Sequence, residues 1–325
     1  MPKIEVSTAS NNDGTPGAAT GPAGEACLSE DRAAQAKVHR VTGAVPTFRV
    51  NAVPDGQTYD LRGAHIVGYP AANHYPLMMG KYGPGRGTCV VGGRVAGLQP
   101  RHLNWHQMKG GVDGDGLNIK ARGGVVTGTR IDNVEDGIAT TGIDPGGISI
   151  SDVYMTYIRD DCIENDWIVN VSVRDSLLDG CYTAISQRPD PEMKPRLAPP
   201  DERFTLDGVL VRLQPMPYDR ARSRCPANVA GNLGNGGFFK WSPWANRLVV
   251  RNSVLLAERA SVNCRRVMNF PTNAEYHNVT LIWLGPGDYP GDLPASGVTV
   301  TRNRQLWDRA RADWLTRHGY PASTS

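Results

Sequence analysis

Two adjacent aspartates, Asp160 and Asp161, follow a third, Asp136, by 24 residues. Breaking a glycosidic bond takes one carboxylic acid to protonate the leaving oxygen and a second carboxylate to activate water. In inverting enzymes the two stand about 6.5–9.5 Å apart. Crowding can also set the two apart chemically. Neighbouring acids raise one another's pKa, so one keeps its proton near neutral pH while another is ionised. Asp136, Asp160 and Asp161 are therefore the candidate catalytic residues. Glu164 and Asp166, in Cys162-Ile-Glu-Asn-Asp-Trp167, extend an acidic groove and could take a hard cation such as Ca²⁺ through oxygen ligands. The sequence itself requires no cofactor. Asp113 and Asp115 resemble half of a calcium loop but lack its downstream Glu, so they read as a glycine-rich turn.

Sugar rings offer apolar faces to aromatic side chains, and acidic sugars need a cationic partner. Gly236-Gly-Phe-Phe-Lys-Trp-Ser-Pro-Trp244 supplies Lys240, Trp241 and Trp244, with Tyr182 and Arg188 just beyond Asp179. In His102-Leu-Asn-Trp-His106, His106, like Lys109 after it, could reach a groove near Asp136. The substrate-binding candidates are Glu164, Arg188, Lys240, Trp241 and His106.

These side chains need a scaffold, and the scaffold is written as a repeat. Asn133-Val-Glu-Asp-Gly-Ile138, Tyr157-Ile-Arg-Asp-Asp-Cys162 and Ser176-Leu-Leu-Asp-Gly-Cys181 align on Asp136, Asp160 and Asp179, in steps of 24 and 19 residues. Short apolar runs precede each, at Val125-Val126, Ile148–Ile150 and Val169–Val173, and recur at Thr205–Leu213, Arg247–Leu256 and His277–Leu284. A period in the low twenties with Gly, Asn and Asp at the corners predicts a β-solenoid, whose coils bury their apolar side only by stacking. Stacked coils lie about 4.8 Å apart, which predicts columns of aspartates 136, 160 and 179 and of Cys162 with Cys181. The two cysteines read as buried thiols in an internal ladder, in preference to a disulfide. Adjacent strand residues point to opposite faces, so Asp160 and Asp161 face the same way only if a bend or bulge intervenes. Glycines at the place of Asp161 in the aligned coils predict unusual backbone there.

The chain has 325 residues, of which 40% are hydrophobic and 21% charged, with 37 glycines and 24 prolines. This suits many short strands joined by turns. A net charge of +3 leaves no basic stripe for nucleic acid, and no apolar run is long enough to span a membrane. Residues 1–26 read as a flexible leader, 27–300 as the solenoid, and 301–325 as a helical end. In that end Arg302–His318 predicts a helix, with Gly319 at its C-terminus, packing on or near an open end of the solenoid. Met1–Glu5 shows no signal peptide, but the leader and the even count of six cysteines, none at zinc spacing, favour a secreted or periplasmic protein.

Taken together, these residues resemble the right-handed parallel β-helix superfamily of pectate lyases and polygalacturonases, over roughly residues 60–300. Val134-Glu-Asp-Gly-Ile138 looks like the Asn-x-Asp-Gly segment of the polygalacturonase-type glycoside hydrolases, and Asp160-Asp161-Cys162-Ile163 like their Asp-Asp-Cys segment. The family's Gly-His-Gly segment has no counterpart in Leu178-Asp-Gly-Cys-Tyr182, and no Arg-x-Lys follows, although Arg188 and Lys240 could supply positive charge. The resemblance implies an all-β, right-handed parallel β-helix with a C-terminal α-helix. It also implies a polysaccharide or oligosaccharide substrate cleaved by paired aspartates. A polysaccharide lyase and a non-catalytic glycan-binding β-helix are the alternatives.

Overall fold

The computed structural model describes residues 22–67, 75–83, 85–97, 99–109, 114–120, 122–141, 146–189, 202–264 and 268–320. Most of the expected leader, and Asp113 of the glycine-rich turn, lie outside these.

The chain winds into the expected parallel β-helix, with three faces per coil. The first face stacks Cys89–Val91, Gly124–Thr127, Ile148–Ser151, Val171–Arg174, Arg203–Asp207 and Arg247–Arg251 in parallel register. The second stacks Arg94–Ala96, Arg130–Asp132, the start of strand Tyr154–Glu164, the start of strand Leu177–Gln187, Leu210–Leu213 and Val254–Ala257. The third stacks Leu77–Gly83, Leu117–Ile119, Ile138–Thr140, the ends of the two long strands, and Phe239–Trp241. Alternate side chains point inward and are buried in columns, among them Val126, Ile150, Val173, Leu206 and Val250 on the first face and Leu117, Ile138, Ile163, Ile185 and Phe239 on the third. These columns fuse into one core along the axis.

Corners explain the spacing of Gly, Asn and Asp. Between the first and second faces each coil turns through a residue with positive φ: Gly128 (+68°), Asp152 (+55°), Asp175 (+37°), Gly208 (+66°), Asn252 (+49°) and Asn278 (+53°). Left-handed backbone favours glycine, and Asn and Asp tolerate it better than other residues.

Four sequence-based expectations change. Aspartates 136, 160 and 179 do not form one column. Asp179 is in register with Thr156 on the second face, where Arg212 (2.5 Å) and Arg311 (2.6 Å) hold its carboxylate. Cys162 and Cys181 form a disulfide rather than a pair of thiols, and Cys27–Cys89 and Cys225–Cys264 complete the six. Cys27 ends a short helix, Pro22–Cys27, so part of the stretch read as leader is helical. Finally, the C-terminal helix Arg304–Arg317 does not cover an open end. It lies along the flank, with Trp307, Trp314 and Leu315 packed on Tyr154, Leu177, Leu210, Leu256 and Ile282 of successive coils. Asn303 caps its start by accepting from the Gln305 amide, and Gly319 leaves it with φ +70°.

Candidate active site

The acidic residues gather where the second face turns into the third. Inter-coil bonds fix the stacking: the Asp160 amide donates to the Glu135 carbonyl (2.8 Å), and the Gly137 amide to the Asp161 carbonyl (2.9 Å). Glu135 therefore lies beside Asp160, and Asp136 beside Asp161, one residue from the alignment read in the sequence. The offset comes from a β-bulge. Strand Tyr154–Glu164 pairs Ile158 with Cys181 but Asp161 with Thr183, so one extra residue is accommodated between them. The unusual backbone sits at Tyr157 (φ +54°), against Gly180, and not at Asp161.

The bulge gives neighbouring aspartates separate partners on one side of the coil. Asp160 Oδ2 meets Lys109 Nζ at 2.9 Å, and Lys109 also pairs with Glu135. Asp161 Oδ2 accepts from Lys240 Nζ at 2.8 Å, while its buried Oδ1 has no hydrogen-bond partner among the described residues. Asp136 Oδ1 accepts from the Asp161 amide at 2.8 Å. One oxygen from each of Glu135, Asp136 and Asp160 lies within 4.8 Å of the others, and the same holds for Asp136, Asp161 and Glu164. Asp115, read as part of a turn, accepts from Asn118 (2.6 Å), and its charge acts on Glu164. Asp166 accepts from Ser186 Oγ (3.0 Å) and the Arg188 amide (2.9 Å).

So many carboxyls against two ammonium groups cannot all be ionised. Burial, then the charges of Asp166, Asp115 and Asp161, push Glu164 up to about 9. Burial and the Asp160 charge push Asp161 up to about 6, and burial with the Glu164 charge raises Asp136 well above the usual carboxylate range. Asp160 goes the other way. Burial alone would raise it, but Lys240 and Lys109 outweigh burial and hold it below its ordinary value. The same oxygens could surround a hard cation such as Ca²⁺, yet Lys109 and Lys240 already set ammonium groups on Glu135, Asp160 and Asp161.

Of these carboxylates, Asp160 lines a cleft of about 1040 Å³. Trp105, Tyr182 and Tyr218 form an aromatic stack on one wall, with ring centroids 6.2 and 6.0 Å apart. Lys240, Trp241, Arg188, Arg222 and Arg224 bring charge and a further ring. His106 also lines the cleft. It packs on Trp105 and Tyr218, its Nε2 has no hydrogen-bond partner among the described residues, and burial with the Arg222 charge lowers its pKa. Trp241 packs edge-on against Phe204 and Phe239, half-buried. Trp244 is exposed and outside the cleft lining.

No family model, no curated protein and no solved structure matches this chain.

Contributors that escaped the sequence reading are Glu135, Asp115, Tyr218, Arg222 and Arg224. Glu135-Asp136, a second acidic doublet one coil before Asp160-Asp161, was the available signal for the first. The arginines sit on an excursion between Gln214 and Gly236, closed by Cys225–Cys264, and nothing local marks them as facing the groove.

The elevated acids carry a stability consequence. Between about 4.5 and about 9 folded Glu164 holds a proton that the unfolded chain has lost. Stability therefore falls as pH rises through that window. Glu164→Gln removes the term: in urea melts at pH 5 and pH 8 the variant loses part of the wild-type decline and is the more stable protein at pH 8, by ~2 kcal/mol. Parallel wild-type and variant profiles would mean that Glu164 is ionised throughout.

Proposed function

We propose that the chain is a glycoside hydrolase acting on an anionic polysaccharide, in keeping with its likeness to the pectin-lyase-like β-helices. One observation carries the reading: Asp160, which lines the cleft, and Asp161 behind it are held by different lysines, Lys109 and Lys240, and their affinities for the proton are pushed in opposite directions. Asp161 is the general acid and gives its proton to the glycosidic oxygen as the bond to the anomeric carbon breaks. Asp160 is the general base and takes a proton from the water whose oxygen bonds to that carbon. Lys240 orients Asp161 by its hydrogen bond to Oδ2. The aromatic stack supports a sugar ring, and Arg188, Arg222, Arg224 and Lys240 favour a polymer bearing carboxylate or sulfate groups. Among the described residues no helix is long and apolar enough to cross a membrane, and three disulfides favour an oxidising compartment. A secreted or periplasmic location fits a polymeric substrate.

A lyase on the same cleft is the second reading, favoured by His106. An unpartnered, neutral imidazole could abstract the proton beside a uronate carboxylate. Lys240 is ill-suited to that role, because Asp160 and Asp161 overcome burial to hold it protonated. A panel of acidic and neutral polysaccharides, followed for reducing ends and ultraviolet absorbance, separates the cases. The hydrolase reading expects new reducing ends on acidic polymers without absorbance. Absorbance would make the protein a lyase, and binding with no cleavage would make it a glycan-binding module.

A further inference from the structure

We infer that Lys109 is a positioning residue of this site: a strap outside the coil stack delivers its ammonium to Asp160 and thereby keeps the cleft-facing carboxylate charged. The role of Asp160 as base rests on the hydrolase reading, whereas the contact itself does not.

Lys109 ends the short helix Trp105–Lys109, at the close of a strap formed by residues 99–109. Asn104 and Gln107 tie the start of this helix reciprocally, each side chain accepting from the other's amide (3.0 and 2.9 Å). Met108 is fully buried and anchors it. The strap is held by residues that flank the acidic pairs in sequence. Asn133 donates to the Gln99 carbonyl (2.9 Å), and the Tyr157 hydroxyl to the Arg101 carbonyl (3.3 Å). Arg159, only 1% exposed, donates to the carbonyls of Pro100 and Leu103. Burying a guanidinium on backbone carbonyls, with no carboxylate partner among the described residues, is costly. Here it fixes the strap whose last residue meets Asp160, the next residue along the coil. Arg159 and Asp160 thus grip the two ends of one element.

The charge balance at Asp160 shows why that grip matters. Glu135 and Asp136 face it from the preceding coil, Asp161 follows it in the strand, Tyr182 comes from the next coil, and Tyr218 from the 214–236 excursion. Against these stand two cations, Lys240 from the third face and Lys109 from the strap. Lys109 is the one in contact with Asp160, and without it Lys240 alone opposes burial and the surrounding carboxyls, so Asp160 keeps its proton to a higher pH.

All six native cysteines are paired, so Lys109→Cys introduces a single thiol that 2-bromoethylamine converts to a lysine-like ammonium. Carbon-13 NMR of labelled aspartate carboxyls, with Asp160 assigned through Asp160→Asn, reads the titration directly. The Asp160 midpoint rises by at least ~1 unit in the thiol form and returns on aminoethylation. Lys109→Met gives the same rise and Lys109→Arg does not. An Asp160 midpoint unchanged between the thiol and aminoethylated forms, or between wild type and Lys109→Met, overturns the inference. On any polymer that wild type cleaves, the acid limb of kcat moves with the midpoint while KM stays. If no polymer is cleaved, the NMR shift still stands, so failure of the hydrolase reading is distinguishable from failure of this one.

Discussion

Asp160→Asn lowers turnover on a cleaved polysaccharide by about 10³-fold, the scale of a lost general base. The substitution keeps the shape of the side chain and its backbone bond to the Glu135 carbonyl. It removes the cleft-lining carboxylate that Lys109 contacts, and Lys109 retains Glu135 as a partner. Folding is therefore expected to survive while chemistry does not. The pH profile sharpens the assignment. Asp160 is charged from below the ordinary carboxylate range, and Asp161 holds its proton up to about 6. Wild-type kcat thus peaks in mild acid and declines above about pH 6, as the acid loses the proton it must donate. Asp161→Asn abolishes the same activity by the other route. Asp179→Asn, on the flank under the C-terminal helix, leaves turnover intact and lowers stability. Full activity in a folded Asp160→Asn protein would remove Asp160 from the chemistry and direct attention to His106.

The solenoid was legible because its signal is periodic. Each coil repeats inward apolar residues and a corner residue in left-handed backbone, so spacing alone announced stacking. The site was legible at the level of residue type, with Asp136, Asp160, Asp161, Glu164 and Lys240 meeting at one corner. Register was not, because a single extra residue in strand Tyr154–Glu164 shifts everything after it. Aligning on Asp put Asp160 opposite Asp136, whereas the bulge puts Glu135 there. The disulfide was missed for another reason: the alignment already made Cys162 and Cys181 neighbours, and neighbouring buried thiols and a bonded pair leave the same pattern in sequence. Cys181 pairs in register with Ile158, and its Cα lies 5.5 Å from that of Cys162. Lys109 was legible as a groove candidate but its partner was not, because the Arg159 latch sets the course of its strap; Arg222 and Arg224 arrive on an excursion that no local pattern encodes.

The C-terminal helix supplies the second large effect. Its position along the flank, rather than over an end, follows from what the second face exposes. Tyr154, Leu177, Leu210, Leu256 and Ile282 point outward and would form an apolar stripe in water. Trp314 is the centre of the cover. It is fully buried, stacks on His318 (4.1 Å) and Tyr320 (5.7 Å), and donates from Nε1 to the Asp175 carbonyl (3.1 Å). Trp314→Ala opens a cavity and orphans that carbonyl, at a cost of about 3–5 kcal/mol. The expected fall in Tm is roughly 10 °C. Asp179 amplifies the loss, because one of its two arginines, Arg311, belongs to this helix, and a buried carboxylate stripped of a partner is itself destabilising. Turnover at low temperature should be preserved, since the helix covers the second face and the cleft opens where the second face meets the third. A variant within 1 kcal/mol of wild type would show that the solenoid holds without the helix, and that the apolar stripe tolerates water.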